Sequence, residues 1–164
     1  CAESLKDTYE QIRLKMITLG LIHCDETGSC VDGKTCWVHV ASDQNYTYLT
    51  INQKSGQAGM DAANVLPHAN GIIMHDCWNS YWKYQNVTHA ICCAHLLREL
   101  NGVIENHPEQ TWAVRFKKLL LDMKKVRDKA LLLDKDEVSY YHRHKFDLQT
   151  VLTVFVVPSE YLWV

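Results

Sequence analysis

Two aspartates, each at the end of a short apolar run, are the residues whose type and placement could do chemistry in this chain. In LGLIHCDETGSCVDGK, Leu19 to Lys34, the apolar run closes on the carboxylate pair Asp25 and Glu26 and then breaks into a polar turn at Asp32-Gly33. In GIIMHD, Gly71 to Asp76, a second run closes on Asp76 and an aromatic-rich stretch follows. An apolar run of this length that stops on an acid is how a buried strand delivers a carboxylate to the edge of a sheet. Two such strands suggest a paired-carboxylate site for hard divalent cations, which take oxygen ligands. Taken singly, either aspartate reads first as a turn or helix cap, and only the repetition points to a metal. Glu26 falls on the opposite strand face from Asp25 by the period of two, so it is not expected to share the ion.

The elements that must position these acids follow from hydrophobic periodicity. Leu5, Tyr9, Ile12, Met16 and Leu19 make the stripe of an amphipathic helix over Glu3 to Leu19. After the first strand, Thr35 to Ser42 and Tyr46 to Asn52 are rich in β-branched and aromatic residues, with Asp43-Gln44-Asn45 as a turn between them, which predicts a three-stranded meander. Gln57 to Leu66 predicts a helix stopped by Pro67, crossing over to a GIIMHD strand parallel to the first. Trp78 to Tyr84 predicts a short aromatic helix and Val87 to Ala94 a fifth strand.

From His95 the pattern is helical. Leu96, Leu97, Leu100, Val103 and Ile104 form one stripe, His107-Pro108 marks a break, and Trp112, Phe116, Leu119, Leu120, Met123 and Val126 form a second. Arg115, Lys117, Lys118, Lys124, Lys125, Arg127 and Lys129 occupy the other faces of that second helix, read first as a solvated surface and second as a DNA-contacting one. Leu148 to Val164 is nearly uncharged, yet its apolar run to Val157 is too short for a membrane span, so a lone strand or a sticky tail is expected and no membrane partner.

Composition sets the outer limits. With 164 residues, 47% hydrophobic and 22% charged, the chain has the size and balance of one soluble globular domain. The net charge of -2 does not announce a nucleic-acid partner, so such a partner must rest on local patches. Cys1, Cys24, Cys30, Cys36, Cys77, Cys92 and Cys93 are odd in number and include no C-x-x-C pair, which favours reduced thiols over a disulfide framework. The chain starts on Cys1 with no charged-then-apolar leader, which points to no signal peptide and to a start inside a longer protein.

Three antiparallel strands, a crossover helix, a fourth strand, a helix and a fifth strand is the order of the ribonuclease-H-like fold. The expected class is therefore α/β: a mixed five-stranded sheet with flanking helices, followed by a helical segment. In that order the first and fourth strands become neighbours, so Asp25 and Asp76 can face one another.

DETGSCVDGKTCWVHVAS, GIIMHDCWNSYWKY and HAICCAHLLRELNGVIEN, in this order, resemble the transposases of the insertion sequence 66 family, bacterial enzymes with a DDE catalytic core. The resemblance covers about residues 1–147. It implies a ribonuclease-H-like core portion over 1–95, an insertion-like helical segment over 96–147 and a divergent apolar tail over 148–164. It implies further that Asp25 and Asp76 are the first two catalytic acids and hold Mg²⁺ or Mn²⁺, with two ions in the complete enzyme. The partners so implied are DNA, as transposon ends and target, and further copies of the chain, in the bacterial cytoplasm at the nucleoid.

Trp78 and Tyr81 match the aromatic positions after the second aspartate, with core packing as the plainer role. Cys92 and His95 match a C-x-x-H element; two ligands fall short of a four-ligand zinc site, and His95 is left either to orient a carboxylate or a DNA phosphate or to be structural. The family's third acid belongs to an Asn-Asn-x-x-Glu-Arg type motif that these residues do not contain. A truncated or frameshifted copy is then expected, with Glu99, 23 residues after Asp76 and flanked by Arg98, as the one acid placed to substitute. An inactive remnant that binds nucleic acid or protein, and a two-acid nuclease using Glu99, remain the alternatives.

Overall fold

The computed structural model describes residues 2–133, 139 and 142–147; the apolar stretch 148–164 lies outside them. The chain divides into two compact units between Cys92 and Cys93. The first holds α1 (Ala2–Thr18), β1 (Leu21–Val31), β2 (Lys34–Ser42), β3 (Thr47–Asn52), α2 (Gly56–Ala63), β4 (Ile72–His75) and β5 (Thr88–Ile91). The second holds α3 (Cys93–Asn106) and α4 (Thr111–Leu132).

The sheet order is β3-β2-β1-β4-β5. β1 pairs antiparallel with β2, as β2 does with β3, whereas β1–β4 and β4–β5 are parallel. This mixed five-stranded sheet with flanking helices is ribonuclease-H-like, and it makes the first and fourth strands neighbours as the element order predicts. Asp32 and Gly33, with φ of 50° and 74°, form the two-residue hairpin turn between β1 and β2. Asp43 Oδ1 accepts from Asn45 N–H at 2.9 Å and Tyr46 N–H at 2.6 Å in the next turn, and the first of these bonds leads in holding its carboxyl below the usual range.

One face of the sheet carries the core. Met16 of α1, Ile22 and Cys24 of β1, Ala41 of β2, Tyr48 of β3, Met60 of α2 and Ile73 of β4 pack together with Tyr81 and Tyr84. Burying aliphatic side chains such as Met16, Ile22 and Ile73 contributes about 1.5–3 kcal/mol each, which sets the strand parity firmly. On the opposite face Leu21, Leu49, Ile51 and Ile72 remain exposed.

Several boundaries differ from expectation for local reasons. β1 does not stop at the carboxylate pair but runs through it to Val31, so Asp25 stands inside a strand rather than at its end. α2 ends at Ala63, three residues early, because Asn64 takes the left-handed conformation at φ 56° and closes the helix before Pro67 is reached. The stretch after Asp76 makes only one 3₁₀ turn, Tyr81–Lys83, because Asp76 Oδ1 captures the Trp78 N–H at 2.9 Å and competes with helix formation. β5 yields to α3 at Cys93, and Leu5, at the start of the α1 stripe, is exposed while Met16 at its end is fully buried.

In the second unit Lys117 Nζ donates to Asn101 Oδ1 at 2.7 Å, joining α4 to α3. Along α4, Lys118 and Lys125 pair with Asp122, and Lys124 and Arg127 with Asp128. Such exposed pairs, mostly one turn apart, are what a solvated helix face carries.

Candidate active site on β1 and β4

The pleat of β1 sorts its side chains. Ile22, Cys24 and Glu26 turn to the core, and His23, Asp25 and Thr27 are exposed on the other face. Asp25 stands opposite Val40 of β2. On its other side the parallel register pairs Leu21 with Ile72, Ile22 with Ile73 and His23 with Met74. The paired register ends there, two residues before Asp25, and Asp76 is the first residue after β4. The structure thus places Asp25 within β1 and Asp76 directly after the strand parallel to it.

Tyr81 ties the neighbourhood together. Its phenol is 2% exposed, and its ionisation is pushed well above the usual value, by burial first and then by Cys24, Asp76, Glu26 and Asp25. Tyr81 is therefore a neutral phenol within electrostatic reach of three carboxyl groups. Burial, with Asp25 adding to it, likewise pushes the Cys24 thiol up to about 12, so this cysteine is a neutral, inert core residue. Cys24, Asp25, His39 and Tyr81 help to line a cavity of about 20 Å³, room for one water.

Glu26 does different work from its neighbour. Its Oε2 accepts the Gly56 N–H at 2.9 Å, capping the first turn of α2, and lies 3.4 Å from His39 Nδ1. His39 is 5% exposed and rests against α2 so closely that a Cβ on Gly59 would lie 2.1 Å from its Nε2. The signal for this role was present in the sequence: a carboxylate at core parity on a strand must find hydrogen-bond donors.

A second structural group went unnoticed in the sequence. His75, the last residue of β4, is fully buried. Its Nδ1–H donates to the Asp76 carbonyl, and its Nε2 stands 2.9 Å from His89 Nδ1. His89 Nε2 in turn faces the Tyr84 carbonyl at 3.1 Å. Both ends of this chain of contacts are carbonyl acceptors. The His75 ring stacks on Tyr81 at 4.6 Å and meets Trp82 edge-on at 5.2 Å. Burial is the leading cause that holds its pKa below the ordinary imidazole value. His75 falls at the same parity as Ile73, which is the pattern that marks it as a core group needing partners.

Trp78 departs from the expected core packing at 53% exposed, while Tyr81 conforms to it. Cys92 follows the last residue of β5 and donates its N–H to the His75 carbonyl at 2.8 Å. His95, Arg98 and Glu99 lie on α3 in the second unit, His95 half-buried and the other two exposed. Among the described residues no group of three or more His, Cys, Asp or Glu is arranged to hold a metal ion. No helix among them is long and apolar enough to cross a membrane.

The strand order β3-β2-β1-β4-β5 is that of a ribonuclease-H-like core. The sequence model of the Transposase IS66 family matches residues 1–157, and the chain belongs to that family. Comparison with curated proteins gives no match. Among solved structures, the chain is similar to the integrase catalytic core domain of HTLV-2 in complex with magnesium. The dimeric form is 14% identical at a TM-score of 0.38, covering 55% of this chain and 74% of that one. The trimeric form is 13% identical at 0.37, with 54% and 73% covered. A simian T-cell lymphotropic virus intasome in complex with the PP2A regulatory subunit B56 gamma is 12% identical at 0.38, with 54% and 42% covered.

Proposed function

We propose that this chain carries the first two acids of a transposase active site, Asp25 and Asp76, which hold Mg²⁺ or Mn²⁺ for cleavage and strand transfer of DNA. The observation that supports it is the parallel pairing of β1 with β4, Leu21–His23 against Ile72–Met74, which carried on by two residues would set the exposed Asp25 alongside Asp76. The donor set fits the ion, since two carboxylates with solvent access suit a hard, partly hydrated divalent cation. Bound there, such ions lower the pKa of a water or 3′-hydroxyl and stabilise the departing oxygen of the phosphodiester.

The chain's own residues orient and neutralise. Asp25 and Asp76 supply negative charge, and Tyr81 stays a neutral phenol beside them. Trp78, exposed two residues after Asp76, offers a face on which a DNA base can stack. Arg98 and His95 are further DNA contacts, Cys92 supports the end of β5, and Glu99 is the candidate third acid. DNA ends and target are the partners, handled by an oligomer of the chain.

With two matched acids and Glu99 as the third, the 164 residues alone are expected to bind Mn²⁺ weakly and to show no strand transfer. Calorimetric Mn²⁺ titration of wild type, Asp25→Asn, Asp76→Asn and Glu99→Gln, alongside DNA cleavage assays, tests this. Loss of binding in both aspartate variants is the expected result. Binding that survives in both overturns the metal site. DNA cleavage by wild type that Glu99→Gln abolishes, with the fold intact, makes Glu99 the third acid. DNA affinity without any metal binding instead identifies an inactive DNA-binding remnant.

A further inference from the structure

We infer that His75 is a positioning residue for Asp76, holding the second acid in place through the backbone while His89 fixes the imidazole; this rests on the proposed role of Asp76. Asp76 lies just past the last residue of β4, where no strand pairing restrains it. Two contacts locate it instead. Its Oδ1 accepts the Trp78 N–H at 2.9 Å, and its carbonyl accepts from His75 Nδ1. The first orients the side chain and the second the peptide that carries it.

His75 is built for such a task. It is fully buried, and Tyr81 covers one ring face at an interplanar angle of 22°. Trp82 and His89 pack edge-on at 81° and 90°. A ring confined this way has one orientation, and the Asp76 carbonyl, which can only accept, calls for the proton on Nδ1. With the hydrogen on Nδ1, Nε2 is left as the acceptor for His89 Nδ1 at 2.9 Å. The same His75 backbone receives the Cys92 N–H at 2.8 Å, so the support is anchored in β5. A second-sphere imidazole acting through a ligand's neighbour is a familiar way to restrain a metal site, and losing one costs roughly tenfold to a hundredfold in affinity.

Amide hydrogen exchange at Trp78 in the metal-free protein reads the position of Asp76 directly, because that N–H is held by the Asp76 carboxylate. His75→Asn keeps a donor at the Nδ1 position and His75→Gln moves it to the Nε2 position. The expected result is near wild-type Trp78 protection in His75→Asn and at least about tenfold faster exchange in His75→Gln, with a matching weakening of Mn²⁺ binding in the latter. Equal exchange in the two variants overturns the inference. If His75→Gln does not fold, nitrogen NMR of wild type decides: an Nδ1–H tautomer at His75 supports the inference and an Nε2–H tautomer overturns it. Failure of the metal reading looks different, since Asp76→Asn would then bind Mn²⁺ as wild type does, while the exchange and tautomer results would stand.

Discussion

Asp25 and Glu26 are adjacent, carry the same functional group and meet opposite environments. Glu26 is turned into the core, where its carboxylate accepts the Gly56 N–H at 2.9 Å and sits 3.4 Å from His39. Asp25 is turned outward beside β4, accepting the Glu26 N–H at 2.9 Å and open to solvent. The period of two alone makes this division, sending one acid to a helix terminus and the other to the exposed face of the sheet. A buried carboxylate is only tolerable when donors satisfy it, so Glu26 is committed to the fold. An exposed one is solvated and carries no such obligation.

The contrast predicts that the Glu26 side is where substitution costs stability. Gly59→Ala is expected to be the most damaging change. Its Cβ would lie 2.1 Å from His39 Nε2 and 2.3 Å from the Lys54 carbonyl, and that backbone has little room to give. Overpacking of this kind costs about 3 kcal/mol, read as a lower urea midpoint. A midpoint equal to wild type would mean that α2 does not press on β2 here. Glu26→Ala comes next, at about 2 kcal/mol, because it strips the capping acceptor from Gly56. Glu26→Gln, which keeps an acceptor oxygen, is expected to lose about half as much and to bind Mn²⁺ as wild type does. Loss of Mn²⁺ binding in Glu26→Gln would place Glu26 in the metal site and erase the contrast.

Strand order was legible in the sequence because it depends on periodicity and element order. The apolar run before Asp76 becomes β4 almost unchanged, and the run before Asp25 becomes the first part of a β1 that continues to Val31. What was not legible depends on side-chain competition within a few residues. Asn64 ends α2 before Pro67 can, and Asp76 binds the Trp78 amide and leaves one 3₁₀ turn where an aromatic helix was expected. Trp78 follows from this, since a residue freed from a helix is not obliged to pack. The His75–His89 contact joins residues from adjacent strands, and no local pattern announces it.

Cys24, which precedes the two acids and shares the buried parity of Glu26, allows a test by pH. Its folded-state thiol is raised from an ordinary 9.0 to about 12 by burial, with Asp25 adding to the shift. The unfolded chain therefore loses this proton first as pH rises. The stabilisation is fully present below the ordinary thiol value and is lost progressively up to about 12. Tyr48, Tyr81 and Tyr84, also raised chiefly by burial, act in the same direction at higher pH. Urea midpoints across pH 9–11 should fall by the equivalent of about 1 kcal/mol per pH unit, and Cys24→Ala should flatten that decline. An unchanged slope in Cys24→Ala would mean that Cys24 does not share the buried side with Glu26.

Asp25→Asn is the smallest expected change in stability and the most informative about the open side. Asparagine keeps the shape and an Oδ1 acceptor for the Glu26 N–H, which stands at 2.9 Å, so the strand loses charge and little else. Exposed positions of this kind change stability by no more than about 0.5 kcal/mol. The lost charge should matter only when a cation is present, weakening Mn²⁺ by about tenfold or more while the urea midpoint of the metal-free protein holds. Mn²⁺ should for the same reason raise the midpoint of wild type and leave that of Asp25→Asn in place, because a ligand stabilises only the state that binds it. A loss of more than about 1 kcal/mol without metal would make Asp25 a structural acid like Glu26, and the division of the two faces of β1 would no longer explain why the chain carries both.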